Sequence, residues 1–208
     1  MYTGIIQSLL PVASLSKKEG QTRFSIRLPK ELQKDLAQGA SVGIDGVCLT
    51  VSEQKGDEVF FDAMGETLAK TTLGDLKEGS RVNVERSALP GQEVGGHILS
   101  GHIDGMAEIV AVENPPGNHV VTFRPPTHLM KFSFSKGFIA LDGASLTVVD
   151  ADQSTGTFKI WFIPETLAKT TFGFKKVGDR VNIEVEYQTK VIVETVERLL
   201  PDLLSSRT

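Results

Sequence analysis

The sequence predicts an all-β protein in which one barrel-forming unit occurs twice, followed by a short C-terminal α-helix. Three observations carry that prediction. GETLAKTTLGDLKEGSRVNVE, from Gly65 to Glu85, returns as PETLAKTTFGFKKVGDRVNIE, from Pro164 to Glu184, with 14 of 21 positions identical at an offset of 99. DGVCLTV (Asp45 to Val51) matches DGASLTV (Asp142 to Val148), and TGIIQ (Thr3 to Gln7) matches SGHID (Ser100 to Asp104), both at an offset of 97. Inside each copy, short Val/Ile/Leu/Phe runs alternate with polar residues at period two and are cut by Gly/Asp turns.

Three blocks in one order and at nearly constant spacing mean a tandem duplication. Their period exceeds the ~20–50 residues of a solenoid unit, so the copies read as two homologous domains. We expect a first domain at 1–96, a second at 97–187 and a tail at 188–208, with the seam near GQEVGGH (Gly91 to His97).

Within the first copy, SVGIDGVCLTVSEQKGDEVFFDAM reads as short strands joined at IDGV and QKGDE, and GSRVNVERS as another strand. About six short strands would leave exposed edges in an open sheet, so a closed barrel is favoured. LPKELQKDLAQG reads as a helical insert, with Leu32 and Leu36 on one face and Gly39 as its stop. GETLAKTTLGDL reads as a short helix running into a turn. In the tail, TKVIVETVERLLPDLL spaces Ile192, Val196, Leu199 and Leu203 as a narrow helical seam. Pro201 should end or kink that helix near Leu200. So narrow a strip suits a contact between copies of the chain better than packing on its own barrel.

The bulk numbers narrow the function. A net charge of −4 over 208 residues, with no long basic run, argues against a nucleic-acid surface. The single cysteine, Cys48, rules out an internal disulfide and fits a reducing compartment. The N-terminal apolar stretch has its positive charge after it, unlike a signal peptide, and no apolar run approaches the ~18 residues of a membrane span. A cytoplasmic protein with no membrane partner is expected.

Two like domains provide two like sites, so the retained and altered positions are the informative ones. Retained are DG-x-x-LTV, with Thr50 and Thr147 on the strand, and ETLAKTT, with Glu66/Glu165 and Thr67/Thr166. The repeated glycines before the strand read either as barrel turns or as backbone laid open to a flat heterocycle. Altered are Ile5 to His102, Cys48 to Ser145 and Met64 to Ile163. The copies therefore hold like molecules while carrying different reactive groups, and histidine exchanges protons near neutral pH. His97 and His102, five apart, would face opposite sides of a strand, and no metal-ligand, P-loop, dinucleotide or nucleophile-elbow spacing occurs.

As a set, MYTGIIQ, GASVGIDGVCLTV, FDAMGETLAKTTLGDLKEGSRVNVERS, GGHILSGHIDG, KGFIALDGASLTV and IPETLAKTTFGFKKVGDRVNIEVE resemble the riboflavin synthase alpha-chain family, across roughly Met1 to Leu200. The resemblance implies tandem six-stranded antiparallel Greek-key barrels, a C-terminal helix that gathers a homotrimer, and no cofactor or metal. It implies dismutation of two 6,7-dimethyl-8-ribityllumazine molecules to riboflavin and 5-amino-6-ribitylaminouracil, with a lumazine synthase shell as a further partner. The alternative is a non-catalytic, antenna-type lumazine- or flavin-binding protein of the same fold.

Carried onto matching positions, the resemblance puts one lumazine against Gly4, Ile5 and Ile6, against Cys48, Leu49 and Thr50, and against Asp62, Ala63, Met64, Gly65, Glu66 and Thr67, with Ser41 close by. The other lies against Gly101, His102 and Ile103, against Lys136, against Ser145, Leu146 and Thr147, and against Ile163, Pro164, Glu165 and Thr166. His102 and Thr147, beside Ser145, are expected to transfer the donor's proton or hold its exomethylene anion; Cys48 and Ser41 are expected to polarise the acceptor or to add a nucleophile, water included, at its ring carbon. The family usually has Phe where this chain has Tyr2.

Overall fold

The computed structural model describes residues 1–205. Twelve strands form two closed antiparallel barrels. The first contains β1 (Ser8–Lys18), β2 (Gln21–Arg27), β3 (Ser41–Ile44), β4 (Val47–Lys55), β5 (Glu58–Met64) and β6 (Arg81–Arg86). The second contains β7 (Gly105–Glu113), β8 (His119–Arg124), β9 (Phe138–Leu141), β10 (Ala144–Asp152), β11 (Thr157–Phe162) and β12 (Arg180–Val185). Around the first barrel the order is β1-β2-β5-β4-β3-β6, and the second repeats it strand for strand. Strand β6 returns beside β3 to give β6-β3-β4-β5, a Greek key. Closure leaves no open edge.

Period-two alternation turns Phe24, Ile26, Val42, Ile44, Val51, Phe61, Val82 and Val84 into one core, and Ile109, Phe123, Ile139, Leu141, Val148, Phe158, Ile160 and Ile183 into the other. The retained Asp-Gly pairs are tight hairpin loops. Asp45 and Gly46 have φ of 44° and 79°, and Asp142 and Gly143 have 43° and 79°, the left-handed pair that two-residue hairpins require. Gly46 and Gly143 also touch: a Cβ on Gly46 would stand 2.6 Å from the Gly143 nitrogen. These glycines serve turns and the join between barrels, not a ligand.

The segment ETLAKTT forms a helix running into a 3-10 turn in both copies: α2 (Gly65–Lys70) then Thr72–Asp75, and α4 (Pro164–Lys169) then Thr171–Gly173. The expected insert helix shrinks to α1 (Lys30–Gln33), because Lys34 turns extended and Asp35 enters the left-handed region at φ 54°; Leu32 and Leu36 are buried all the same. Its counterpart is α3 (Thr127–Met130). The tail forms α5 (Tyr187–Ser205), which runs on through Pro201, where an end or a kink was expected. A proline there forfeits one hydrogen bond in a nearly finished helix. Ile192, Val196 and Leu199 are 63%, 54% and 48% exposed; the side chain of Leu203 and residues 206–208 lie outside what is described. Among the described residues no helix is long and apolar enough to cross a membrane.

Candidate active site

The two barrels meet across an approximate dyad that exchanges matched residues. Tyr2 and Leu99 are counterparts, and they pair with each other: the Tyr2 N–H donates to the Leu99 carbonyl at 2.8 Å and the Leu99 N–H returns at 3.0 Å. Asn83 and Asn182 are wholly buried counterparts. Asn83 Nδ2 donates to the Asp142 carbonyl at 2.9 Å while its Oδ1 accepts from the Thr171 N–H at 2.9 Å. Asn182 reciprocates, donating to the Asp45 carbonyl at 2.8 Å and accepting from the Thr72 N–H at 2.8 Å. A buried amide so fully paired fixes one arrangement of the barrels, since every other leaves polar groups bare.

Two buried carboxylates hold the chain segments that cross this dyad. Glu85 accepts from the Thr3 N–H at 2.7 Å, Thr3 Oγ1 at 2.8 Å and the Gly4 N–H at 3.1 Å. Glu184 does the same for the Ser100 N–H, Ser100 Oγ and the Gly101 N–H, at 2.7, 2.7 and 3.0 Å. Burial raises both carboxyls above the usual range in spite of these donors. The pinned segments then lie on the opposite barrel: the Ser145 N–H donates to the Gly4 carbonyl at 2.8 Å, and the Cys48 N–H to the Gly101 carbonyl at 2.9 Å. Only glycine fits either crossing. A Cβ on Gly4 would lie 2.5 Å from Ser145 Cβ, and one on Gly101 would lie 2.6 Å from Cys48 Cβ.

Two matched clefts result. The first, about 280 Å³, is lined by Val47 and Cys48 from β4, by Glu66, Thr67, Lys70 and Thr71 from α2 and its end, and by the crossing Gly101, His102 and Ile103. The second, about 260 Å³, is lined by Ala144 and Ser145 from β10, by Ile163, Glu165, Thr166, Lys169 and Thr170, and by the crossing Gly4, Ile5 and Ile6. The expected grouping is thus exchanged. Gly4 to Ile6 belong with Ser145 and Glu165, and Gly101 to Ile103 with Cys48 and Glu66. His102 consequently shares a cleft with Cys48, not with Ser145 and Thr147.

The other expected residues fall into four groups. Thr50, opposite Ser41 in the β3–β4 pairing, and Thr147, opposite Phe138, stand on the outer barrel faces beside the clefts. Asp62 is held by Arg23 at 3.5 Å, Met64 is exposed, and Gly65 and Pro164 open α2 and α4. Leu49, Ala63 and Leu146 point into the barrel cores, one residue out of phase with the outer face. Lys136 is not among the residues that line the two clefts and stands in an exposed left-handed turn (φ 68°) where the first copy has Gly39.

Residues the sequence reading passed over are Lys70 and Lys169, which pair at 2.8 Å with Glu66 and Glu165, and His97. The two lysines were legible in the retained ETLAKTT. His97 Nδ1 sits 2.6 Å from Ser145 Oγ, and its ring stacks on Phe138 at 5.2 Å. Burial lowers its pKa, keeping the imidazole neutral at pH 7, and its Nε2 is buried without a partner. Among the described residues no cluster of three or more His, Cys, Asp or Glu has metal-site geometry.

Paired clefts on tandem Greek-key barrels define a class. A family model described as the lumazine binding domain matches the chain twice, over residues 3–87 and 100–186. Curated relatives named riboflavin synthase include that of Escherichia coli (strain K12), 45% identical over 96% of this chain and 93% of that protein. That of Chlamydia pneumoniae is 42% identical over 96% and 97%. The crystal structure of LumP complexed with 6,7-dimethyl-8-(1'-D-ribityl) lumazine aligns with a TM-score of 0.80 at 25% identity, covering 89% of this chain and 99% of that one; LumP complexed with riboflavin aligns at 0.81 and 27%, covering 89% and 100%. The chain belongs to the riboflavin synthase family.

Proposed function

We propose that the protein is a transferase that dismutates two 6,7-dimethyl-8-ribityllumazine molecules to riboflavin and 5-amino-6-ribitylaminouracil. A four-carbon unit leaves one ring and joins the other, so electrons balance between two copies of one molecule without an outside oxidant. The observation that carries this reading is the pair of clefts with matched frames and different reactive side chains. Each has the volume for one small heterocycle, at the lower edge of the ~300–1,000 Å³ usual for ligand pockets. Neither has room for two stacked rings, so the partner ring must come from a cleft facing it on another copy. The exposed apolar strip of α5 supports such an assembly, which we take as a homotrimer with its site between the first barrel of one copy and the second barrel of the next. In this reading the functional units are 1–96, 97–187 and the tail 188–208, and the protein works in the cytoplasm, where a lumazine synthase shell would supply its substrate.

The 7-methyl group of the lumazine is an acidic carbon acid because its anion delocalises into the ring. Holding the rings face to face supplies most of the rate by proximity and orientation. In the first cleft the thiol of Cys48 and the imidazole of His102 face one ring, with Ser41 and Thr50 on the adjoining outer face. In the second, Ser145 is held by His97, whose Nδ1 lies 2.6 Å from the hydroxyl, with Thr147 beside it. The first cleft therefore offers a nucleophile with an acid–base group, and the second an oriented hydroxyl.

Incubating the protein with the lumazine should consume two equivalents for each riboflavin formed, followed by riboflavin fluorescence and by chromatography of the diamine. Tight stoichiometric binding without either product would favour the antenna-type reading.

A further inference from the structure

Tyr2 is the second residue of the chain, yet it is 2% exposed and sits on the dyad. Its ring occupies a slot left open by two glycines: a Cβ on Gly43 would come within 3.2 Å of the ring, and one on Gly101 within 2.8 Å. Leu99 and Ala140 complete an apolar nest, with Cys48 packed against it. A phenolic O–H in such surroundings must find an acceptor, and it does: Tyr2 Oη lies 3.1 Å from Cys48 Sγ. Cys48 also lines the first cleft. The second cleft has no equivalent, because Leu99 stands where Tyr2 would be and Ser145 where Cys48 would be; Ser145 is gripped instead by His97.

We propose that Tyr2 is a positioning residue for the first cleft, whose hydroxyl donates to Cys48 Sγ and fixes the sulfur in the wall that meets the bound ring. The donor role is secure across physiological pH: burial, then the bond to Cys48, drive the phenol pKa far above its ordinary value. A donor held against sulfur fixes its orientation and stabilises charge that develops on it during reaction. The proposal rests on reading Cys48 as a group that meets substrate, and its test lets the two ideas fail separately.

Tyr2→Phe keeps the ring between Gly43 and Gly101 and removes one oxygen. Cys48 is the single cysteine of the chain, so carboxamidomethylation by iodoacetamide at pH 7, followed by mass spectrometry, reads this site alone. Without its donor the sulfur loses its fixed orientation and the stabilisation of charge that develops on it during attack, so alkylation should slow several-fold. Looser packing would have the opposite effect, exposing the sulfur and speeding alkylation. Faster or unchanged alkylation overturns the proposal.

In turnover, Tyr2→Phe should lower kcat by several-fold while riboflavin binding stays within two-fold. The same substitution in a Cys48→Ala background should do nothing more, because coupled residues are not additive. Slowed alkylation with unchanged kcat would overturn the catalytic bearing of the contact, whatever the fate of riboflavin formation. A parent protein with no turnover would sink the functional reading and leave the alkylation result standing.

Discussion

Exchange of the crossing segments makes a prediction that order along the chain does not. Gly4 belongs to the first copy but closes the second cleft, and Gly101 belongs to the second copy but closes the first. Both have left-handed backbones, with φ of 76° and 82°. An alanine there costs about 1–2 kcal/mol for the backbone alone. Its Cβ would also sit 2.5 Å from Ser145 Cβ or 2.6 Å from Cys48 Cβ, an overpacking of about 1–3 kcal/mol more. Gly4→Ala and Gly101→Ala should each lose about 2–5 kcal/mol in urea unfolding, unless the crossing segment lifts away to relieve the clash. Either response opens one cleft and spares the other. Gly101→Ala should speed alkylation of Cys48 several-fold under native conditions, whereas Gly4→Ala should leave it within two-fold. Equal acceleration by both would refute the crossing.

Four further outcomes are expected. Asn83→Ala strands the Thr171 N–H and the Asp142 carbonyl in a wholly buried join and should cost about 2–4 kcal/mol in urea unfolding. Asp45 faces Asp142, Lys175 and the Asn83 N–H; burial first, then the Asp142 carboxylate, holds its pKa well above the ordinary value. The folded state therefore keeps this proton to higher pH than the unfolded chain, and the group's contribution is fully present below about pH 4 and falls as pH rises. Asp45→Asn should accordingly raise the urea midpoint more at pH 8 than at pH 5; a loss at pH 8 would mean that Lys175 holds Asp45 ionised. His102→Ala should cut kcat by about 10² while changing riboflavin affinity less than three-fold; equal losses would make it a packing residue. Ending the chain after Gln188 should leave both barrels folded by circular dichroism but lower the mass in sedimentation and the turnover together.

Much of the architecture was legible because it repeats. Two copies of one pattern gave two barrels, period two gave the cores, and Asp-Gly marked the hairpins. The insert helix was misjudged in length because Leu32 and Leu36 are buried whether or not a helix continues past Gln33; burial of a spaced pair does not require helical backbone between them. Leu49, Ala63 and Leu146 turn their side chains into the cores for a reason the sequence itself supplied. On a strand whose outward residues are Cys48 and Thr50, the residue between them must face the core. His97 escaped because its counterpart would precede Met1, so no comparison of the copies could single it out.

The crossing was hidden for a deeper reason. Gly4 and Gly101 are retained alike, so identity says that both are needed but not which barrel each serves; only the fold pairs them. Once paired, the divergences that looked scattered fall into order. Ile5 became His102 and Cys48 stands against Ser145, and the crossing collects the imidazole with the thiol in one cleft and the isoleucine with the hydroxyl in the other. Without the exchange, each cleft would have received one reactive replacement and the pair would differ little. With it, one cleft gains both a sulfur and a proton carrier, while its twin keeps an apolar wall around an oriented hydroxyl. Two identical substrates meeting across such a pair are no longer equivalent, and inequivalence is what a dismutation of like molecules requires.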